Sequence, residues 1–203
     1  MWKAVDQLTW MLYKYEKHEL VGEVLIINNG QGLPESIRSF KKVRILNDGK
    51  NLFVNPSWNL GVREAKFDKV IIANDDILIP EIDSLLTLID DSLHHGDIIG
   101  ADANCYEQRR VRPVDVMRIC QSIGAMGYGF GVFMAVHKKD YIQVPQTLRI
   151  WFGDAIQYTA LNPHVFETTI QTEMSTTTKT FEHVKRLRVT ERNYYQKYIK
   201  NGK

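Results

Sequence analysis

Only two cysteines occur in 203 residues, Cys105 and Cys120, and their spacing suits neither a metal knot nor a disulfide framework. A reducing compartment, hence a cytoplasmic setting, is the expectation. No apolar run approaches the roughly 18 continuous residues that a membrane-spanning helix needs. Lys3 and Asp6 interrupt the apolar residues at the amino end, so no signal-peptide pattern forms. Charge of one sign is also lacking. The 26 Lys and Arg against 24 Asp and Glu leave a formal net charge of +2 with no long basic run, which argues against a nucleic-acid partner. Repeats and low-complexity linkers are absent. What remains is a chain with 44% hydrophobic and 25% charged residues, the balance of a globular protein with room for one sizeable core.

Periodicity assigns the elements. Trp2, Val5, Leu8, Leu12 and Tyr15 recur at helical spacing, predicting an amphipathic helix over 2–17. Strands are expected at Glu23–Asn28, Val43–Leu46, Val70–Ala73 and Ile98–Ala101. Between them, Asn55-Pro56 reads as an N-cap and first helical residue of a helix running to Lys66, and Pro80 opens another through Ser92. Alternation of β and α argues for an α/β fold, a mostly parallel sheet with helices on both faces. The second half is less regular. Residues 109–119 alternate weakly, Gly124, Gly127, Gly129 and Gly131 form a glycine-rich loop, and Val132–Val136 reads as a strand. Asp154 stands at a helix start, His164–Met174 reads as a strand, Glu173–Thr180 as a polar loop, and Thr190 caps a terminal helix to Asn201.

In open α/β sheets ligands bind beyond the carboxyl ends of the strands. Three predicted strand ends are polar: Asn28-Asn29, Asn47-Asp48 and Asn74-Asp75-Asp76. Adjacent carboxylates at such an end repel unless a cation or water lies between them. Their oxygens are hard ligands for Mg²⁺ or Mn²⁺, ions that take one or two protein carboxylates and bridge to phosphate. Asn59 and Arg63 on the Asn55 helix are further candidates to reach a nucleotide. Trp58, Trp151 and Tyr128 can each stack on a base or sugar or simply pack. His164 and His183 lie on no ligand spacing.

The order "LIINNG", "NPSWNLGVREAKFDKVIIANDDILI", "FGVFMAV" and "WFGD" resembles the GT-A glycosyltransferases of the large inverting family two. The resemblance spans about residues 20–200. It implies a nucleotide-diphospho-sugar transferase-like sheet, with a nucleotide-binding half over about 1–100 and an acceptor half over about 101–203 in one domain. It further implies that Asn74-Asp75-Asp76 is the acidic metal motif, with Asp76 the direct ligand helped by Asp75, and that Asp154 is the catalytic base. Asn28, Asp48, Asn59, Arg63, Asn74 and Asp75 would then surround the nucleotide, with uridine the expected base. Two departures stand out. The family has a strand ahead of the first helix, whose end helps hold the base, whereas Met1 is almost at the helix. The family also has Asp where this chain has Asn28, although Asn presents both a donor and an acceptor to a uracil edge.

The chemistry needs these residue types. Inverting transfer is one displacement, so the acceptor hydroxyl requires a carboxylate base, and the leaving diphosphate requires a cation. The expected substrates are a UDP-linked sugar and a glycan or glycoprotein acceptor, and the chain can be one module of a longer one. Two alternatives stay open: a sugar nucleotidyltransferase, against which the lack of an Arg/Lys-bearing glycine loop counts, and a non-catalytic carbohydrate-binding module, against which retention of Asp76 and Asp154 counts. A phosphotransferase with an Asp nucleophile would carry it after the first strand rather than a middle one.

Overall fold

The structure is a computed structural model that describes residues 5–30, 32–47, 49–106, 129–172 and 182–200, with only the backbone of His183. In chain order the elements are α1 (Val5–Lys17), β1 (Val24–Ile27), α2 (Glu35–Arg38), β2 (Val43–Leu46), α3 (Val54–Glu64), β3 (Lys69–Ala73), β4 (Ile77–Leu78), α4 (Ile82–Ser92), β5 (Asp97–Ala101), β6 (Phe133–His137), α5 (Gly153–Ala160), β7 (Asn162–Phe166), β8 (Gln171–Thr172) and α6 (Glu182–Tyr195). A 3-10 turn, Phe130–Val132, leads into β6, and a π turn, Gln196–Lys200, follows α6.

Apolar residues at period two build a four-stranded sheet, β3-β6-β5-β7, and helices cover both of its faces. Ile71, Ile99, Ala101, Phe133 and Ala135 pack on one face with α1 and α4. Val70, Ile72, Ile98, Met134 and Val136 pack on the other with α3 and Tyr158 of α5. That coverage explains why β6 is buried at all five positions. β1 and β2 pair in parallel as a separate two-stranded sheet, and β4 pairs with β8.

The α/β class and the GT-A-like layout hold. Parallel pairing holds for β1–β2 and β5–β7, while β6 runs antiparallel to both β3 and β5. That reversal places the start of β6 beside the end of β3, where Ala73 pairs with Phe133.

Several boundaries differ from the sequence reading. Asn55 is not the cap: Phe53 takes the N-cap position of α3 and Asn55 lies inside the first turn, fully buried. The Pro80 helix begins at Ile82, and the single strand expected over 164–174 is two, β7 and β8. The terminal helix begins at Glu182, so Thr190 is interior and its hydroxyl donates back to Arg186 O. Its buried stripe, Val184, Glu191 and Tyr195, puts a carboxylate at an apolar position, which hid the helix from a periodicity reading. Residues 2–4, 109–119, 173–180, Cys120 and Asn201 lie outside the described residues, whereas Cys105 is buried and free.

Candidate active site at the carboxyl edge

β3 ends at Ala73, and Asp75 and Asp76 form the turn that carries the chain into β4. Asn74 N donates to Val132 O at 2.9 Å, so this turn is locked to the residue after Gly131. Gly131 in turn touches Asp154. A Cβ placed on Gly131 would lie 3.0 Å from Asp154 Cβ, 3.3 Å from Asp154 Oδ2 and 2.9 Å from the Trp58 ring. Two acidic groups 78 residues apart in sequence, counting from Asp76 to Asp154, are thereby joined through one short bridge, Asn74–Val132–Gly131–Asp154.

Electrostatics distinguish the two acids. Asp154 lies in the first turn of α5 and its Oδ1 accepts from Ala155 N at 2.8 Å. Burial pushes its pKa above the ordinary carboxylate range, opposed by hydrogen bonds from the backbone of Ala155 and Gly131. Asp75 reaches solvent at the rim, yet the packing around its carboxyl and then the Asp76 charge also push its pKa up. The like-charge repulsion expected from the sequence is therefore present in the fold. Two crowded carboxylates at an open strand end fit a hard divalent cation, which would relieve that repulsion.

Backbone strain collects at this edge. Among the described residues, three non-glycine residues have positive φ: Asn47 (63°), Phe53 (67°) and Phe152 (66°). Asn47 follows β2, Phe53 precedes α3 and Phe152 precedes α5. Such conformations persist where the surroundings impose them, typically around a site.

Other candidates fare differently. Asn28 lies at the expected edge but is 3% exposed, and its Oδ1 accepts from Gly30 N at 3.1 Å as a turn brace. Asn59 is occupied elsewhere. Its amide donates to Val144 O at 2.8 Å, and its Oδ1 accepts from Tyr141 Oη and Val144 N, both at 3.0 Å. Arg63 sits in the last turn of α3, away from the carboxyl edge, and pairs with Glu64 at 3.1 Å. Asn59 therefore ties α3 to the 141–144 segment, and Arg63 stands exposed beside its chain neighbour. Trp58 packs in the core beside Gly131, and Trp151 is covered by Arg188 at 5.0 Å. His164 pairs with Asp97 at 3.2 Å at the amino end of β5. Asp48, Gly124, Gly127, Tyr128 and the His183 side chain lie outside the described residues.

Asn55, read from the sequence only as a cap, and Glu191, not singled out at all, hold the segment ahead of Asp154. Asn55 Nδ2 donates to Leu148 O (3.1 Å) and Trp151 O (3.0 Å), tying α3 to the segment before Asp154. Glu191, 1% exposed, accepts the amides of Arg149, Ile150 and Trp151 at 2.9, 3.2 and 2.8 Å. A lone acid among Arg186, Arg188 and Arg192 was the available signal.

A second acid-histidine group exists. Asp68, His95 and His137 offer ligand atoms within 4.8 Å of one another. It lies at the opposite end of β3, about 16 Å by strand length from Ala73, where the strand leads into the Asp75–Asp76 turn. Both ring nitrogens of His137 already face acceptors, Asp68 Oδ2 at 2.7 Å and Leu93 O at 3.2 Å.

Gly131→Ala tests the bridge. The added methyl must displace either Trp58 or Asp154, so turnover should fall by up to about 10²-fold with a smaller change in melting temperature. Paired kinetics and thermal melts check this.

No family model matches the chain, and no curated relative matches it. Solved structures do. HddC from Yersinia pseudotuberculosis aligns with TM-score 0.52 at 15% identity, over 93% of this chain and 84% of that one. The inositol-1-phosphate CTP transferase from T. maritima aligns with TM-score 0.51 at 15% identity, over 93% and 82%. GalNAc-T7, solved with UDP, GalNAc and Mn²⁺, aligns with TM-score 0.51 at 11% identity, over 87% of this chain but 44% of that one. At these identities the likeness establishes the fold alone. Among the described residues no helix is long and apolar enough to cross a membrane.

Proposed function

We propose that the chain is a GT-A-type glycosyltransferase that moves a sugar from a nucleoside diphosphate, uridine being the expected base, to an acceptor hydroxyl with inversion. The observation that carries the reading is the bridge holding Asp154 against the Asn74–Asp76 turn at the carboxyl edge. Asp76, helped by Asp75, would hold Mn²⁺ or Mg²⁺ against the donor diphosphate. When bound, the cation supplies positive charge for the leaving group. Asp154 takes the acceptor proton at a carboxylate oxygen, and Gly131 lets the backbone and Asp154 approach closely. Solved neighbours support a nucleotide-using site on this sheet, since one was solved with UDP and Mn²⁺.

Thermal melts with UDP, GDP, CDP and TDP, each with and without Mn²⁺, test the proposal. UDP with Mn²⁺ should raise the melting temperature, by mass action on the folded state. Asp76→Ala should abolish the Mn²⁺-dependent part and leave the apo melt near wild type. UDP binding that is unchanged by EDTA and by the mutation would remove the metal assignment. A preference for GDP would remove uridine and leave the fold reading intact.

The fold likeness to a CTP transferase favours a second reading, nucleotidyl transfer to a sugar or polyol phosphate. That reaction consumes a nucleoside triphosphate and releases pyrophosphate, whereas glycosyl transfer releases a nucleoside diphosphate. A pyrophosphate assay separates them.

A further inference from the structure

Asp68, His95 and His137 come from three separate places in the chain and meet beyond the amino end of β3. Asp68 stands just ahead of β3, His137 is the last residue of β6, and His95 lies in the turn between α4 and β5. The β3–β6 pairing brings the first two together: Lys69 lies opposite His137, and Lys138 N donates to Asp68 O at 2.6 Å. Gly96, with φ of 84°, makes the turn that carries His95. One ligand atom from each of the three side chains lies within 4.8 Å of the others.

The hydrogen bonds settle which nitrogens can ligate. His137 Nε2 faces Leu93 O at 3.2 Å, and a carbonyl only accepts, so Nε2 carries a hydrogen. His137 Nδ1 lies 2.7 Å from Asp68 Oδ2. A nitrogen so placed either carries a second proton or turns its lone pair on a cation that the carboxylate also binds. His95 Nδ1 lies 3.0 Å from Asp140 Oδ2, and the same oxygen accepts from Gly96 N at 2.9 Å. Asp140 is thus seated to accept the Nδ1 hydrogen of His95, which leaves Nε2 as the ligating nitrogen. Metal-bound histidines characteristically donate their other N–H to a carboxylate or a backbone carbonyl, which holds the tautomer and the ring. Here one histidine has the carbonyl and the other the carboxylate.

We propose that Asp68, His95 and His137 form a zinc site, separate from the carboxyl edge, that ties β3, β6 and the α4–β5 turn together. The ligands are His137 Nδ1, His95 Nε2 and one Asp68 oxygen, with water in the fourth position. Two imidazoles and a single carboxylate suit Zn²⁺, whereas Mg²⁺ takes oxygen ligands. The charges of Asp68 and Asp140 together offset that of the ion. Binding requires the group to open. Zinc with bonds of about 2.0–2.1 Å holds tetrahedral ligands roughly 3.3 Å apart, against the present 2.7 Å between Nδ1 and Oδ2, and the two rings face each other with centroids 3.9 Å apart. The buried member need not move. His137 has a side chain 7% exposed, while those of Asp68 and His95 are 58% and 49% exposed and can swing outward. Because the group sits at the far end of β3 from the Asp75–Asp76 turn, the ion would stabilise the fold rather than touch the reacting groups of the proposed transferase.

The test strips the protein with EDTA, removes the chelator, and titrates Zn²⁺ alone against a chromophoric zinc chelator, with thermal melts in parallel. Wild type and Asp76→Ala should each take up one equivalent at this site, and the melting temperature should rise by about 5–10 °C at about a hundredfold excess over Kd. His95→Ala and Asp68→Asn change exposed side chains, so the fold should survive, and each should weaken zinc binding by about 10²-fold or more; Asp140→Ala should weaken it by about 10-fold. His94→Ala, beside the site in sequence, should bind as wild type does. Zinc uptake that is unchanged in His95→Ala would overturn the proposal. So would uptake that is lost in Asp76→Ala, which would place the ion at the carboxyl edge, and so would a lack of stoichiometric uptake, which would leave the group a histidine–carboxylate ion pair only. No readout uses nucleotide or sugar, so the result stands apart from the proposed transferase activity.

Discussion

Asp154→Asn is expected to lower turnover by about 10²–10⁴-fold, the usual worth of a general base, while donor and metal binding stay near wild type. Asn keeps the size and can still accept from Ala155 N through its amide oxygen, so α5 should keep its start. It cannot take a proton. Binding should survive because the proposed metal ligands sit on the β3–β4 turn, joined to Asp154 only through Val132 and Gly131. Near-normal turnover would place the base elsewhere. Loss of donor binding would make Asp154 a clamp or a structural cap.

The same residue sets a pH dependence. Burial raises the Asp154 carboxyl above its ordinary value of 3.8, so the acid limb of the rate profile should lie above that value, with rate rising as the group loses its proton. The stability consequence runs the other way. A carboxyl with a raised pKa in the folded state binds more protons there than in the unfolded chain, so stability falls as pH climbs from 3.8 through the raised value. Asp75 contributes in the same direction, screened by its exposure. Asp68 and Asp140, held below the ordinary carboxylate range by hydrogen bonds from His137 and from Gly96 N, contribute with the opposite sign, so the Asp154 effect is read as the difference between wild type and Asp154→Asn in melts across the acid range in EDTA: the variant should melt increasingly higher than wild type as pH climbs to neutral. A difference that shrinks over this window would reverse the assignment.

Much of this edge was legible because its signals are local. An apolar β-branched run ending in Asn-Asp-Asp reads as a strand and its terminus without any tertiary knowledge. Asp154 at a helix start is equally local. The pairing of β6 is not: its antiparallel direction depends on where the chain re-enters the sheet, and that direction alone sets Val132 beside Asn74. Asn55-Pro56 misled for a related reason. The dipeptide is a strong cap signal, but a packing demand from Leu148 and Trp151 won, and the cap position moved to Phe53 with positive φ. Asn59 looked like an edge residue because its helix starts at the edge, yet its carboxamide donates to Val144 O and accepts from Val144 N and Tyr141 Oη.

Glu191→Ala should destabilise the fold by about 3 kcal/mol, since hydrogen bonds to a buried charged group are each worth roughly 1.5–3 kcal/mol and the losses partly relax. Three successive amides, Arg149, Ile150 and Trp151, converge on this carboxylate from the segment just ahead of α5. Helix α6 thus grips the strand of chain that sets the position of Asp154, with Phe152 stacked on Tyr195 at 4.8 Å as the apolar half of the grip. For a chain of this length the melting temperature should drop by about 6–12 °C. Turnover should fall at temperatures where the variant is still folded, because Phe152 and Gly153 would no longer hold Asp154 against Gly131. Mn²⁺-dependent UDP binding should change little, since Asp75 and Asp76 are carried by β3 and β4. Glu191→Gln should recover part of the stability, because its amide oxygen still accepts while its NH₂ group faces donors. A Glu191→Ala variant that melts like wild type would show that the 149–151 segment is held by other contacts. One that melts lower yet turns over normally would confine Glu191 to stability and leave Asp154 positioned by Gly131 and Trp58 alone.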